Sequence, residues 1–174
     1  MTPELGIIEG YFGRPWSFAD RTAVMHTLST RGYSFFHYAP KGDEFLRRRW
    51  REAHPPAMWE DLRTFAAACR TTGVRFGVGL SPYEVFRNFD DEARDTLRTR
   101  ISTLDTLGLD DLAILFDDMR GDIPDLADRQ ARIIEFVAGC TRASRLIMCP
   151  SYYTDDCILD RVFGNRPAEY LEQL

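Results

Sequence analysis

Apolar positions along the chain fall into two alternating kinds of segment. Gly6-Ile7-Ile8-Glu9-Gly10 is short, apolar and bounded by glycines, which predicts a first strand. Ser17, with Asp20 three residues on, reads as a capping box, and Val24, Met25 and Leu28 follow at helical spacing up to Gly32. Ser34–Ala39 is aromatic-rich and strand-like and is closed by Pro40. The grammar then repeats. Pro55 and Pro56 stand at a helix start, Met58, Leu62, Phe65, Ala66 and Cys69 form one stripe, and Gly73 ends it. Arg75–Leu80 is a third strand, whose Gly77 and Gly79 suggest crowding by another backbone.

A polar helix is expected from Asp90 to Leu107, with Leu97, Ile101, Leu104 and Leu107 on one face and Gly108 as its stop. Leu112–Phe116 is a fourth strand, and Asp122 and Pro124 open a helix carrying Leu126, Ile133, Ile134 and Val137. Arg145–Cys149 is a fifth strand closed by Pro150, and a last helix is expected to open at Pro167 and carry Tyr170, Leu171 and Leu174.

Five βα units of roughly 30–35 residues match the repeat length of a (β/α)8 TIM-type barrel. Nearly continuous apolar strands suit a parallel sheet covered on both faces. An open doubly wound sheet also alternates β and α. It is disfavoured because the first strand is followed by GYFGRPW, which lacks the GxGxxG spacing. Five strands cannot close an eight-strand barrel, so the expectation is an incomplete barrel formed by the front part of a longer domain.

Composition narrows the function classes. The 174 residues are 44% hydrophobic and 28% charged, with a net charge of -5, which argues against a nucleic-acid surface. Arg47, Arg48, Arg49 and Arg51 form one basic cluster, flanked by Asp43, Glu44 and Glu52, and read as a solvated, locally neutralised turn. No apolar run approaches a membrane span, and Met1-Thr2-Pro3-Glu4 lacks the basic start of a signal peptide, so a cytoplasmic location without membrane partners is expected. Cys69, Cys140, Cys149 and Cys157 show no CxxC spacing and are expected to be buried free thiols. Of the 22 basic residues only Lys41 is a lysine, which hints at a place needing a compact ammonium.

In a parallel barrel the C-terminal strand ends share one mouth, where active sites are built. Those ends bring Gly10-Tyr11-Phe12-Gly13-Arg14, then Lys41 and Asp43, then Ser81 and Tyr83, then Asp117 and Asp118, then Ser151, Tyr152 and Tyr153. Two carboxylates, one ammonium and several aromatic rings suit a sugar. Neighbours on a regular strand face opposite ways, so Asp117 and Asp118 can share a pocket only where the strand frays into a loop. Held together, they would repel, leaving one protonated as an acid and one ionised. A cap-and-turn pair of aspartates is the plainer alternative, and a divalent-cation site formed with Asp122 a weaker one. No metal site is expected, and His26, His37 and His54 read as structural.

The ordered set IIEGYFGRPW (7–16), YAPKGD (38–43), WRE (50–52), LSP (80–82), LFDDM (115–119) and CPSYY (149–153) resembles the O-GlcNAcase and bacterial β-N-acetylglucosaminidase family, glycoside hydrolase family eighty-four. The resemblance implies that residues 1–174 are the N-terminal portion of a single glycosidase catalytic barrel domain. It implies a retaining enzyme acting on terminal β-linked N-acetylglucosamine of a glycan or glycoprotein. In such enzymes the sugar's own 2-acetamido group attacks and an oxazoline forms, so no cofactor is expected. By that resemblance Asp117 orients the acetamido N–H and Asp118 is the acid and base. Gly10 offers a backbone carbonyl to a sugar hydroxyl, Lys41 contacts the substrate, and Tyr153 lines the pocket.

The sequence departs from the family in the order Tyr11-Phe12 and in Tyr83, where the family's SPG has glycine. Further sugar ligands would come from later strands. The rival reading is therefore a catalytically incomplete sugar-binding or scaffold domain, and open barrel edges predict self-association.

Overall fold

A computed structural model describes residues 3–173 of the chain. Met1, Thr2 and Leu174, the last of these expected on the final helix, lie outside the described residues. Five strands, β1 (Leu5–Glu9), β2 (Tyr33–Tyr38), β3 (Arg75–Leu80), β4 (Asp111–Leu115) and β5 (Arg145–Cys149), form one parallel sheet in the order β1-β2-β3-β4-β5. Helices α1 (Phe18–Ser29), α2 (Pro56–Thr71), α3 (Asp91–Asp105) and α4 (Leu126–Ala138) connect them, and α5 (Cys157–Phe163) follows β5. This is the expected part of a (β/α)8 barrel, about half of the ring.

The two faces of the sheet carry different residues because side chains alternate along each strand. On the outer face Phe36, Tyr38, Phe76, Val78, Leu80, Leu112, Ile114 and Phe116 are buried beneath Phe65, Leu97, Ile101, Ile133 and Val137 of the helices. Each such side chain contributes roughly 1.5–3 kcal/mol by leaving water. The inner face is polar or small where strands crowd. His37, Gly77 and Asp111 pair in register across β2, β3 and β4, and His37 Nε2 lies 2.8 Å from Asp111 Oδ2, passing over Gly77. A Cβ on Gly77 would come within 2.5 Å of the His37 ring, and one on Gly79 within 2.5 Å of the Ala39 Cβ. The crowding that these glycines relieve is thus mainly from side chains rather than from another backbone. Toward the two edges the inner face is open, leaving Ile8 59% and Ile147 38% exposed.

The caps account for the helix starts. Ser17 and Asp20 form the expected capping box on α1, Pro56 occupies the first turn of α2, and the Asp90 carboxylate accepts from the Ala93 N–H at the start of α3. Two expectations are corrected. The helix after β4 begins at Leu126 rather than at Asp122–Pro124, because Asp125 takes a left-handed φ of 56° just before it. The segment from Pro167 forms turns rather than a helix, since Glu169 is left-handed at φ 59° and Tyr170 is drawn into the core. All four cysteines are free, but only Cys69 is fully buried and Cys157 is exposed on α5. Among the described residues no helix is long and apolar enough to cross a membrane.

Candidate active site

The C-terminal ends of β2 and β4 meet through one ammonium. Lys41, two residues beyond Ala39 on the inner face, is almost fully buried, with 2% of its side chain exposed. Its Nζ donates to Asp117 Oδ2 at 2.7 Å and lies 3.1 Å from Asp118 Oδ2. Water still reaches the acids, whose side chains are 18% and 24% exposed. A compact ammonium suits this position because it can address two carboxylates at once. Its attraction also opposes the mutual repulsion from which the sequence argued their separate roles.

Asp117 continues the inward alternation of Asp111, Ala113 and Leu115. Asp118 would then face the helices, but its φ is 58°. This left-handed turn, which aspartate tolerates better than most residues, swings its carboxylate back to Lys41. Adjacent acids therefore share one ammonium through a defined backbone turn rather than through strand fraying. Asp117 Oδ1 is shielded from solvent and receives no hydrogen bond from the described residues.

A second layer fixes both strand ends. Asp43 accepts from the Phe45 N–H at 3.0 Å, from the Tyr38 hydroxyl at 3.0 Å and from His54 Nε2 at 2.9 Å. Arg100 on α3 can only donate, so its 2.9 Å contact with His54 Nδ1 assigns the histidine proton to Nε2. Behind β4, Ser151 Oγ donates to the Phe116 carbonyl at 2.8 Å and accepts from Gln130 Nε2 at 2.8 Å. The Tyr170 hydroxyl donates to Gln130 Oε1 and accepts from the Ser151 N–H. Ser151, Gln130 and Tyr170 are all buried, so the residue before Asp117 is held rigidly.

The remaining candidates sit on the same rim. Tyr153 is 53% exposed, and its phenol is pushed above the ordinary range by partial burial and then by the Asp118 and Asp117 carboxylates. Burial, with Asp117 next, pushes the Cys149 thiol up to about 11. Gly10 lies just beyond the end of β1 and donates its N–H to the Ile8 carbonyl. The next residue, Tyr11, accepts from the Lys41 N–H at 3.2 Å, so the first two loops are tied. Asp122 does not join the pair of acids but turns to Arg120 and Arg87. Among the described residues no three or more His, Cys, Asp or Glu side chains are grouped to hold a metal.

Sequence reading missed Arg47. Rather than lying solvated with Arg48, Arg49 and Arg51, it is buried, and its NH2 group donates to the Asp118 carbonyl at 2.8 Å. Its guanidinium lies over the rings of Tyr83 and Phe12, at 5.0 and 5.6 Å. Tyr83 thus has a place on the mouth wall. The only signal in sequence was its position six residues beyond Lys41 in one loop.

A family model described as NAGidase, beta-N-acetylglucosaminidase, matches residues 5–174. Protein O-GlcNAcase of Rattus norvegicus and that of Mus musculus are each 30% identical over 114 residues. Each match covers 66% of this chain and 12% of the relative, so the chain spans a small fraction of those proteins. A mutant of the Thermobaculum terrenum O-GlcNAc hydrolase has the same fold, with a TM-score of 0.78 at 24% identity. That match covers 98% of this chain and 38% of the other.

Proposed function

The chain belongs to the beta-N-acetylglucosaminidase family, and on that premise we propose that it forms the N-terminal part of the catalytic barrel of a retaining, substrate-assisted enzyme. Its substrate is a terminal β-linked N-acetylglucosamine on a glycan or glycoprotein. The observation that carries this reading is the arrangement of the two adjacent acids. Both reach Lys41, and Asp117 keeps one shielded oxygen without a donor among the described residues.

That oxygen suits the acetamido N–H. When the acetamido oxygen attacks the anomeric carbon, positive charge grows on the amide, and the Asp117 carboxylate stabilises it. The bond from the anomeric carbon to the leaving oxygen breaks as Asp118 gives that oxygen a proton. The resulting oxazoline is opened by water, which attacks the same carbon from the vacated side while Asp118 takes its proton. Two displacements retain configuration. Gly10, through its carbonyl, and Tyr153, through its ring, would bound the sugar, and Lys41 would hold the acids apart and oriented.

In the full-length protein, Asp118→Ala should lower kcat about 100- to 10,000-fold on a β-N-acetylglucosaminide with a poor leaving group. An activated aryl glycoside should lose far less, because its leaving group needs little protonation. Equal losses on both substrates would remove Asp118 from the acid role. Calorimetric binding of N-acetylglucosamine without turnover by the unaltered protein would instead favour the scaffold reading.

A further inference from the structure

Asp118 is held at both ends, and only one of the two holds belongs to the chemistry described above. Its carboxylate meets Lys41, while its carbonyl accepts from Arg47. The direction of a carbonyl is set by the residue's own ψ, so a donor fixed in space fixes that dihedral. Left-handed backbone on a non-glycine residue is strained and persists only where its surroundings impose it. Arg47 is well placed to impose it. Its guanidinium is flanked by Phe12 from the loop after β1 and by Tyr83 from the loop after β3. Its own loop is pinned where the Leu46 carbonyl accepts from the Ser81 N–H at 2.8 Å. Three loops therefore converge, through one planar cation, on the main chain of a fourth.

Arg47 is buried, and its Nε, like those of Arg75 and Arg100, has no hydrogen-bond partner among the described residues, so its anchorage rests on the two rings and on the Asp118 carbonyl. Resting on the reading of Asp118 as the acid and base, we propose that Arg47 is a positioning residue, which holds the Asp118 backbone in the left-handed turn that aims its carboxylate. A lysine would not substitute, since a point donor neither stacks between two rings nor keeps a fixed fork.

A double-mutant cycle in the full-length protein tests this, using a β-N-acetylglucosaminide with a poor leaving group. Arg47→Ala should lower kcat about 10- to 100-fold, the scale of a 1 Å misplacement, with KM changed less than about threefold. In an Asp118→Ala background the same change should lower kcat by less than about threefold, because the residue it aims is gone. Added guanidinium should restore part of the activity of Arg47→Ala but none in the double variant. Arg63→Ala, at an exposed pair with Glu60 on α2, should leave kcat unaltered.

Losses that multiply in the double variant would overturn the positioning role while leaving Asp118 as the acid. No loss in Asp118→Ala itself would overturn the catalytic reading instead. Should Arg47→Ala not fold, Arg47→Lys in the same cycle separates the same two outcomes.

Discussion

Glu9 at the end of β1 and Arg21 on α1 form a two-pronged ion pair, 2.6 and 2.8 Å long, nearly sealed from water. The Arg21 guanidinium also lies over the Phe18 and Tyr38 rings, at 4.6 and 4.7 Å. Replacing Glu9 by Gln would leave that guanidinium buried and unpaired, a change that costs about 3–5 kcal/mol. The melting temperature should fall by on the order of 10 °C for a chain of this size. Because the pair is buried, added salt should alter this loss little. A variant that melts like the parent would show that the strand end does not depend on this contact.

Gly77→Ala tests the inner layer. Its new methyl would sit 2.5 Å from the His37 ring and 3.0 Å from the Asp111 Cβ. Overpacking of this kind costs about 1–3 kcal/mol, and here it must also push His37 off Asp111. Denaturant midpoints measured for both proteins give the difference. An unchanged midpoint would mean that the ring has room to retreat.

Glu4 gives a pH signature. Hydrogen bonds from Arg145 and Arg75, at 2.8 and 3.0 Å for the shorter contacts, lower its pKa from 4.5 to about 2. The folded state therefore holds this carboxylate ionised where the unfolded chain would protonate it. The resulting stability is fully present above pH 4.5 and is lost as pH falls through about 2. Glu4→Gln should flatten the decline of the melting temperature across that window relative to the parent. The difference should shrink in high salt because the group is exposed. Parallel acid limbs in both proteins would show that the bonds contribute nothing to folding.

The open edges of β1 and β5 should make the isolated chain self-associate at micromolar concentrations. Light scattering after gel filtration would register it, and Ile8→Lys should reduce it by placing a charge on the exposed inner face. A strictly monomeric chain at all concentrations would contradict this.

Much of the fold could be read from the chain, for local reasons. β3 and β5 match their expected limits because glycine or proline bounds them closely, and β2 and β4 start one residue earlier than expected. Helix α5 escaped notice because Cys157–Phe163 is only seven residues long, too short for a periodicity to declare itself. Its cap, Asp156 accepting from the Ile158 N–H, was the one available sign.

The site divides in the same way. The meeting of Lys41, Asp117 and Asp118 at one mouth was legible because each follows closely on the end of a strand. The left-handed turn at Asp118 and the inward course of Arg47 were not, since both depend on partners more than sixty residues away in sequence. A run of arginines looks the same whether one of them is buried or none is.

Because β1 to β5 pair in the order in which they are synthesised, each strand leaving the ribosome has a sheet partner already translated. Lys41 precedes the two aspartates by more than seventy residues and is translated first. The cation that both acids reach is thus already synthesised when they emerge, and no later segment has to arrive before their like charges can be neutralised.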